Sequence, residues 1–330
     1  MQCMEVWGGN RAIDNGVIMS GLDAWVFCRP FQAADANAGG GDIHYVSSCA
    51  AGQITRLLIA DVSGHGAPVA KAADALRRLM SKFSNYVDQS RLLEAVNTRF
   101  GELSEEASDG SGGVEGGVMF ATAVAATYFA PTDDLSICIA GHPRPMHYSA
   151  RLGRWSVIMP NAKSGAGPRD LPLGVLDPVR YTVTPVRLGR NDLVLFYTDS
   201  LIEALGTDGK QLGESGLLEI LNGLSAGEHH AFVGRLLHAI AERSPRGSAA
   251  AFDDDVTALL VRRNDLKPRP SLALTLIAGW RIARQAAASL LPGKLPASLP
   301  EIRLSSIGRA LLRRFDGRGR SVDADVPERS

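Results

Sequence analysis

The chain has 330 residues, 45% of them hydrophobic and 21% charged, with 35 basic against 35 acidic side chains. That balance describes a globular chain able to bury a large core, as one large domain or two moderate ones, and argues against bulk attraction to nucleic acid or acidic membranes. The charge is uneven: residues 264–330 carry about 12 basic and 6 acidic side chains against about 23 and 29 in residues 1–263, an acidic body with a basic tail.

Cys3, Cys28, Cys49 and Cys138 show no CxxC spacing and no neighbouring histidine cluster, so reduced, buried thiols are expected rather than zinc or disulfide frameworks. The N-terminus lacks a basic region followed by an apolar core, and no stretch reaches about 18 uninterrupted apolar residues. Both point to a cytoplasmic chain.

In chain order, residues 21–60 read as strands at Ala24–Phe27, Ile43–Val46 and Thr55–Ala60, broken by a loop rich in Ala, Asn, Gly and Asp. The period then changes. Val69, Ala72, Ala73, Leu76, Leu79, Met80 and Phe83 fall on one helical face, and Leu92, Leu93, Val96 and Phe100 on a second. The Gly- and Ser-rich stretch 109–117 reads as a mobile loop.

Strands return at Val118–Phe129 and Leu135–Ala140, joined through Pro131-Thr132-Asp133-Asp134, then around Met146–Tyr148, Trp155–Ile158 and Leu193–Tyr197. Helices are expected at 214–222 and 229–243, and a last strand at Thr257–Val261. Two strand groups flanked by helix pairs suggest an α+β layered sandwich rather than alternating βαβ units. In the tail, Leu272–Leu291 fits a helix. Arg281 and Arg284 argue against a membrane span; packing on the domain is at least as good a reading as membrane-surface contact. Ile302–Phe315 is a second apolar and basic segment.

Asp61-Val62-Ser63-Gly64-His65-Gly66 stands out, placed between the apolar run Leu57–Ala60 and a helix beginning near Pro68. Alone it also suits a strand-to-helix turn. Three more acids share its setting: Asp42 after three glycines, Asp199 at the end of Leu193–Tyr197, and Asp254 before the last strand. Carboxylates converging from several strands suit hard divalent cations, and their uncompensated burial would be prohibitive.

Gly40-Gly41-Asp42, Asp61 to Gly66, Ala140-Gly141-His142-Pro143, Pro172-Leu173-Gly174, Tyr197-Thr198-Asp199 with Glu203-Ala204, and Asp254-Asp255-Val256-Thr257 occur in an order that resembles the SpoIIE/RsbU-type PP2C-like (PPM) phosphatases; Thr122 in Phe120-Ala121-Thr122 also fits. The resemblance covers residues 21–263, after an N-terminal extension of residues 1–20 and before the tail 264–330. It implies a four-layer αββα sandwich with two central antiparallel sheets around two Mn²⁺ or Mg²⁺ ions. In that family a metal-bridging water attacks phosphoserine or phosphothreonine. By the same resemblance Asp61 bridges both ions with the Val62 carbonyl as a further ligand, Asp199 and Asp254 hold one ion, and Asp42 serves the other.

A proton-donor role for His65 is the weaker expectation, because it depends on reach to the leaving oxygen. His142 reads as structural, Asp255 as an orienting neighbour and Asp253 as a solvated charge. Two departures stand against the family pattern: Tyr45 occupies the second aspartate position of Gly-Gly-Asp-x-x-Asp, and Ser200 the glycine of Thr-Asp-Gly. The first would remove a carboxylate near the cleft, and the second is tolerable only on ordinary backbone.

The expected activity is that of a protein serine/threonine phosphatase in bacterial regulatory signalling. The expected partner is a phosphorylated protein, by analogy a STAS-type anti-sigma factor antagonist. No nucleic-acid partner is expected, and a homodimer is compatible with the sequence. The competing readings are a pseudophosphatase or scaffold binding a phosphorylated partner without turnover, and a structural sandwich with incidental acids.

Overall fold

A computed structural model describes residues 4–31, 39–49, 52–64, 67–83, 86, 88–109, 119–161, 167–245, 247 and 251–266. All of the described residues belong to one compact unit, which lies within Met1–Leu274. The tail segments read as Leu272–Leu291 and Ile302–Phe315, and the loop 109–117 beyond Asp109, lie outside the described residues.

The strands are β1 (Met4–Gly9), β2 (Ile13–Met19), β3 (Leu22–Arg29), β4 (Asp42–Cys49), β5 (Ile54–Val62), β6 (Ala121–Phe129), β7 (Asp134–Ala140), β8 (Met146–Ser149), β9 (Arg154–Val157), β10 (Thr184–Arg187), β11 (Leu193–Tyr197) and β12 (Val256–Arg263). The helices are α1 (Ala67–Phe83), α2 (Gln89–Asp109), α3 (Ser200–Glu203), α4 (Gly213–Gly223) and α5 (His229–Arg243). They build two antiparallel six-stranded sheets, ordered β1-β4-β5-β6-β7-β10 and β2-β3-β12-β11-β8-β9. Period-2 alternation sends successive side chains to opposite faces of each strand. Leu57 and Ile59 of β5, Val124 of β6, Val194 and Phe196 of β11 and Leu259 and Val261 of β12 therefore meet in one apolar layer between the sheets.

The outer faces carry the helices. Leu58, Ala60, Ala123 and Ala125 of the first sheet pack on Val69, Ala73, Leu76 and Met80 of α1 and Leu92, Leu93, Val96 and Phe100 of α2. Leu195, Tyr197, Ala258 and Leu260 of the second sheet pack on Leu217, Ile220 and Leu221 of α4 and Phe232, Leu236 and Ile240 of α5. The result is the αββα sandwich. Pro68 sits in the first turn of α1, where its missing N–H costs nothing, and Asp88 Oδ1 accepts from Ser90 N at the start of α2.

Three expectations change. Residues 4–19, read as an extension ahead of the domain, supply an edge strand to each sheet: β1 pairs with β4 and β2 with β3. Only one side of such strands meets the core, so their apolar pattern is thin; β2 exposes most of its residues. Asn264, placed in the tail by sequence, donates from Nδ2 to the Met19 carbonyl at 3.0 Å and to Asp23 Oδ1 at 2.6 Å, closing the domain beyond β12. Cys28 and Cys138 are buried thiols outside any disulfide, as expected, but Cys49 is disulfide-bonded. Sequence spacing registers only local cysteine pairs.

Far from Asp61, the sheets are clamped by an ion pair. Arg263 at the end of β12 donates from Nε and Nη2 to Asp133 in the β6–β7 turn at 3.1 and 3.0 Å, and Tyr128 Oη donates to Asp133 Oδ1 at 2.8 Å. Tyr128 pairs with Thr55 near the start of β5, about 20 Å along the strand from Asp61.

Candidate metal centre

Strand register sets the site. Asp42, the first residue of β4, lies directly opposite Asp61 near the end of β5, and Asp61 lies opposite Thr122 on β6. The second sheet answers from across the cleft, where β11 runs into Asp199, the N-cap of α3, and β12 emerges from Asp254 and Asp255.

These acids feel one another. Asp61 is pushed up to about 7, first by burial and then by the charges of Asp199, Asp254, Asp255 and Glu203. Asp199 is raised to about 6 by burial, Glu203 and Asp254, against the lowering influence of nearby backbone amides. Asp42 stands well above the ordinary carboxylate range because of burial, then Asp61 and Asp255, opposed by the Thr257 and Thr198 hydroxyls. Cys28, on β3 facing the same space, is raised to about 12 by burial and then by Asp42. Acids from both sheets thus share one local field.

At the cleft, Thr198 and Asp255 reach from the second sheet to the first. Thr198 Oγ1 donates to Asp42 Oδ2 at 2.9 Å, and the same Oγ1 accepts from Thr257 N at 3.0 Å. In the other direction Asp255 accepts from Gly41 N at 2.6 Å and from Asp42 N at 3.1 Å. Sequence reasoning missed Thr198 as a contributor, although its place between a buried strand and Asp199 was the available signal. It also gave no role to Glu203, whose charge reaches both Asp61 and Asp199.

Behind Asp61, Thr122 Oγ1 and His142 Nδ1 lie 2.8 Å apart. His142 is buried and held down to about 3, chiefly by desolvation, with the Tyr197 backbone weakly opposing. It is a neutral spacer beside the site. The turn that carries it requires Gly141, whose φ is +64° and where a Cβ would come 2.4 Å from Pro172 Cγ. Pro172-Leu173-Gly174 is in turn stitched to β6: Leu173 N donates to the Ala121 carbonyl at 2.7 Å and Ala121 N returns the bond at 3.0 Å.

Neither departure from the family pattern disturbs the cleft. Tyr45 is three residues from Asp42 and therefore on the opposite face of β4, 1% exposed among the residues that meet α1 and α2. A carboxylate there would point into the helical layer, not into the cleft as the sequence alone suggested. Ser200 is the first residue of α3 and is not among the residues with positive φ, so it needs no glycine conformation. His65 and Gly66 lie outside the described residues.

The donor chemistry fits a hard divalent cation: carboxylates from both sheets, with the raised Asp61 relieved by positive charge. Geometry is less complete. Among the described residues no three His, Cys, Asp or Glu side chains are arranged to hold one ion. Among the described residues, too, no helix is long and apolar enough to cross a membrane.

Two six-stranded antiparallel sheets packed between helix layers, with an acidic cleft at one end, give the PP2C-like fold. The family model for Stage II sporulation protein E (SpoIIE) matches residues 51–264, and the chain belongs to that family. The solved RsbU and RsbW domains of Rv1364c from Mycobacterium tuberculosis are 25% identical, with a TM-score of 0.52 over 84% of this chain and 70% of that one. The SiaA-PP2C domain of Pseudomonas aeruginosa shares the fold at 18% identity, a TM-score of 0.55 and coverage of 72% and 85%. RsbX, solved in complex with magnesium, shares it at 15% identity, a TM-score of 0.51 and coverage of 76% and 99%. PP2C-like phosphatases use metal ions.

Proposed function

We propose that the chain hydrolyses phosphoserine or phosphothreonine on a protein substrate with two divalent cations, Mn²⁺ or Mg²⁺, in the cleft. Asp61, Asp199 and Asp254 would hold one ion, Asp61 and Asp42 the other, with the Val62 carbonyl as a further ligand. When bound, the ions supply a nucleophilic water at neutral pH and neutralise charge on the phosphoryl group.

The protein's part is positioning. Asp42 and Asp61 present two carboxylates from adjacent strands, and Thr198 occupies one oxygen of Asp42, which limits how that carboxylate can turn. Thr122, fixed by His142, backs Asp61 on the third strand. His65 is the proposed donor of a proton to the departing serine oxygen.

The observation that carries this reading is the convergence at Asp61: Asp42 lies directly opposite it on the neighbouring strand, and acids of the other sheet, Asp199, Asp254, Asp255 and Glu203, push its carboxyl up. Perturbed acids converging in a cleft mark functional sites more often than structural ones. The scaffold reading drew on Tyr45 and Ser200, and neither intrudes on the cleft. The substrate is proposed to be a phosphorylated regulatory protein, of the anti-sigma factor antagonist type, in bacterial signalling.

The test is phosphate release from a phosphoserine peptide by the purified chain with Mn²⁺, with Mg²⁺ and with a chelator. Release that needs the cation and disappears in Asp61→Asn is expected. Release indifferent to both changes, or no release from a folded, Mn²⁺-binding chain, would overturn the reading.

A further inference from the structure

Asp255 is a carboxylate with an unusual set of partners. It is 9% exposed, and its Oδ1 accepts from Phe31 N at 2.6 Å while its Oδ2 accepts from Gly41 N at 2.6 Å and Asp42 N at 3.1 Å. All three donors are backbone amides, and two belong to the sheet opposite the one that carries Asp255. The chain is shaped to admit this contact. A Cβ on Gly40 would stand 2.0 Å from Asp255 Oδ2, and one on Gly41 would stand 2.9 Å from the Val62 carbonyl and 3.5 Å from Asp61 Oδ1. Glycine at 40 and 41 is what allows the backbone to close on Asp255 from one side and on the end of β5 from the other.

We infer that Asp255 is a positioning residue, a strap from the second sheet that fixes the backbone of Gly41 and Asp42 and so sets where the Asp42 carboxylate enters the cleft. A carboxylate gripping three amides spends its acceptor directions on the backbone, which makes it a poor ligand for a cation. Asp254, one residue earlier, is exposed, and its Oδ1 accepts from Asp255 N at 2.8 Å. The adjacent acids therefore divide the work: Asp254 belongs to the cleft and Asp255 to the frame. With Thr198 holding Asp42 Oδ2, Asp42 is anchored to the second sheet twice, through its amide by Asp255 and through its carboxylate by Thr198.

The geometric part stands whatever the chain's activity; the consequence for turnover rests on the metal-phosphatase reading. Outer partners of metal ligands typically change affinity or activity about 10–100-fold when removed.

The test uses the full chain in three variants: Asp255→Asn, Asp254→Asn and Gly40→Ala. The last keeps every carboxylate and displaces Asp255 sterically. Amide hydrogen exchange over residues 39–44, Mn²⁺ titration by calorimetry and peptide phosphatase assays are read together. Asp255→Asn and Gly40→Ala should both speed exchange at Gly41 and Asp42, keep the Mn²⁺ stoichiometry and weaken affinity about 10–100-fold. Asp254→Asn should leave that exchange unchanged. Loss of one Mn²⁺ per chain in Asp255→Asn with exchange at Gly41 and Asp42 unaltered would make Asp255 a ligand and overturn the inference. So would wild-type exchange and affinity in both Asp255→Asn and Gly40→Ala. If Asp255→Asn fails to fold, Gly40→Ala decides alone, and if no variant has measurable turnover the exchange result still decides the strap.

Discussion

Thr198 Oγ1 reaches from the second sheet to Asp42 Oδ2 on the first, 2.9 Å away, at a point where both residues are buried. The bond joins the end of β11 to the start of β4, residues 156 apart in sequence. It makes the width of the acidic cleft a property of both sheets together.

Replacing Thr198 with valine keeps the shape and removes the donor. Asp42 then loses a hydrogen bond it cannot replace from water, a loss of about 1–3 kcal/mol. Urea denaturation should show that drop, and phosphatase activity should fall with the Mn²⁺ requirement shifted to higher concentration. Thr198→Ser, which restores the hydroxyl, should recover most of both.

Asp61→Asn should separate function from stability. The cleft loses a carboxylate that its neighbours oppose, so the metal-free variant should be more stable than the parent at pH 8 by about 1–2 kcal/mol, within what a pK shift of a few units can supply. Activity should drop by at least about 100-fold, since the proposed bridging ligand is gone. Thermal unfolding in chelator and peptide assays in Mn²⁺ check the two halves. A metal-free variant less stable than the parent would contradict the repulsion at Asp61.

Acid stability should depend on Asp192. Burial pushes its carboxyl up, but His147 Nε2 at 3.0 Å, Ala150 N at 2.9 Å and Gly189 N at 2.8 Å outweigh that and hold it below 3.8. A carboxylate depressed in the folded state stabilises above its unfolded value, near pH 4, and that contribution disappears as pH falls through the lower folded value. Asp192→Asn should therefore lower stability at pH 7 and flatten the loss as pH falls below about 4. Denaturation midpoints across that range are the measurement.

His142 should contribute no titration to the pH–rate profile between pH 5 and 9, because burial holds it at about 3. Its role is the contact with Thr122 behind Asp61. His142→Ala should cost about 2 kcal/mol in stability through lost packing and the lost hydrogen bond, and lower turnover without moving either limb of the profile. Gly141→Ala, strained at φ +64° and pressed on Pro172, should give the same phenotype with His142 intact.

Much of this was legible in the chain. The strongly periodic segments were found because burial writes itself into sequence: α1 and α2 by their 3.6-residue pattern, β5, β6, β11 and β12 by runs that are apolar on both faces. The acids were legible for a related reason, each sitting at a strand end or beside a glycine turn. Weakly patterned pieces were not. β1, β2 and β10 are edge strands with half their surface outside the core, and β10 contains Pro185, which an edge tolerates and a central strand does not.

The sequence by itself determined the layers of this protein, the order of its motifs and which acids stand at the mouths of buried strands, because those features follow from hydrophobic period and local turn chemistry. Only the tertiary structure decided which acids oppose one another, that Tyr45 faces helices and not the cleft, and that Asp255 grips the backbone of Gly41 while Thr198 grips Asp42. Those facts depend on cross-strand register and on the closeness of two sheets, which join residues more than 150 positions apart and leave no periodic trace in the chain.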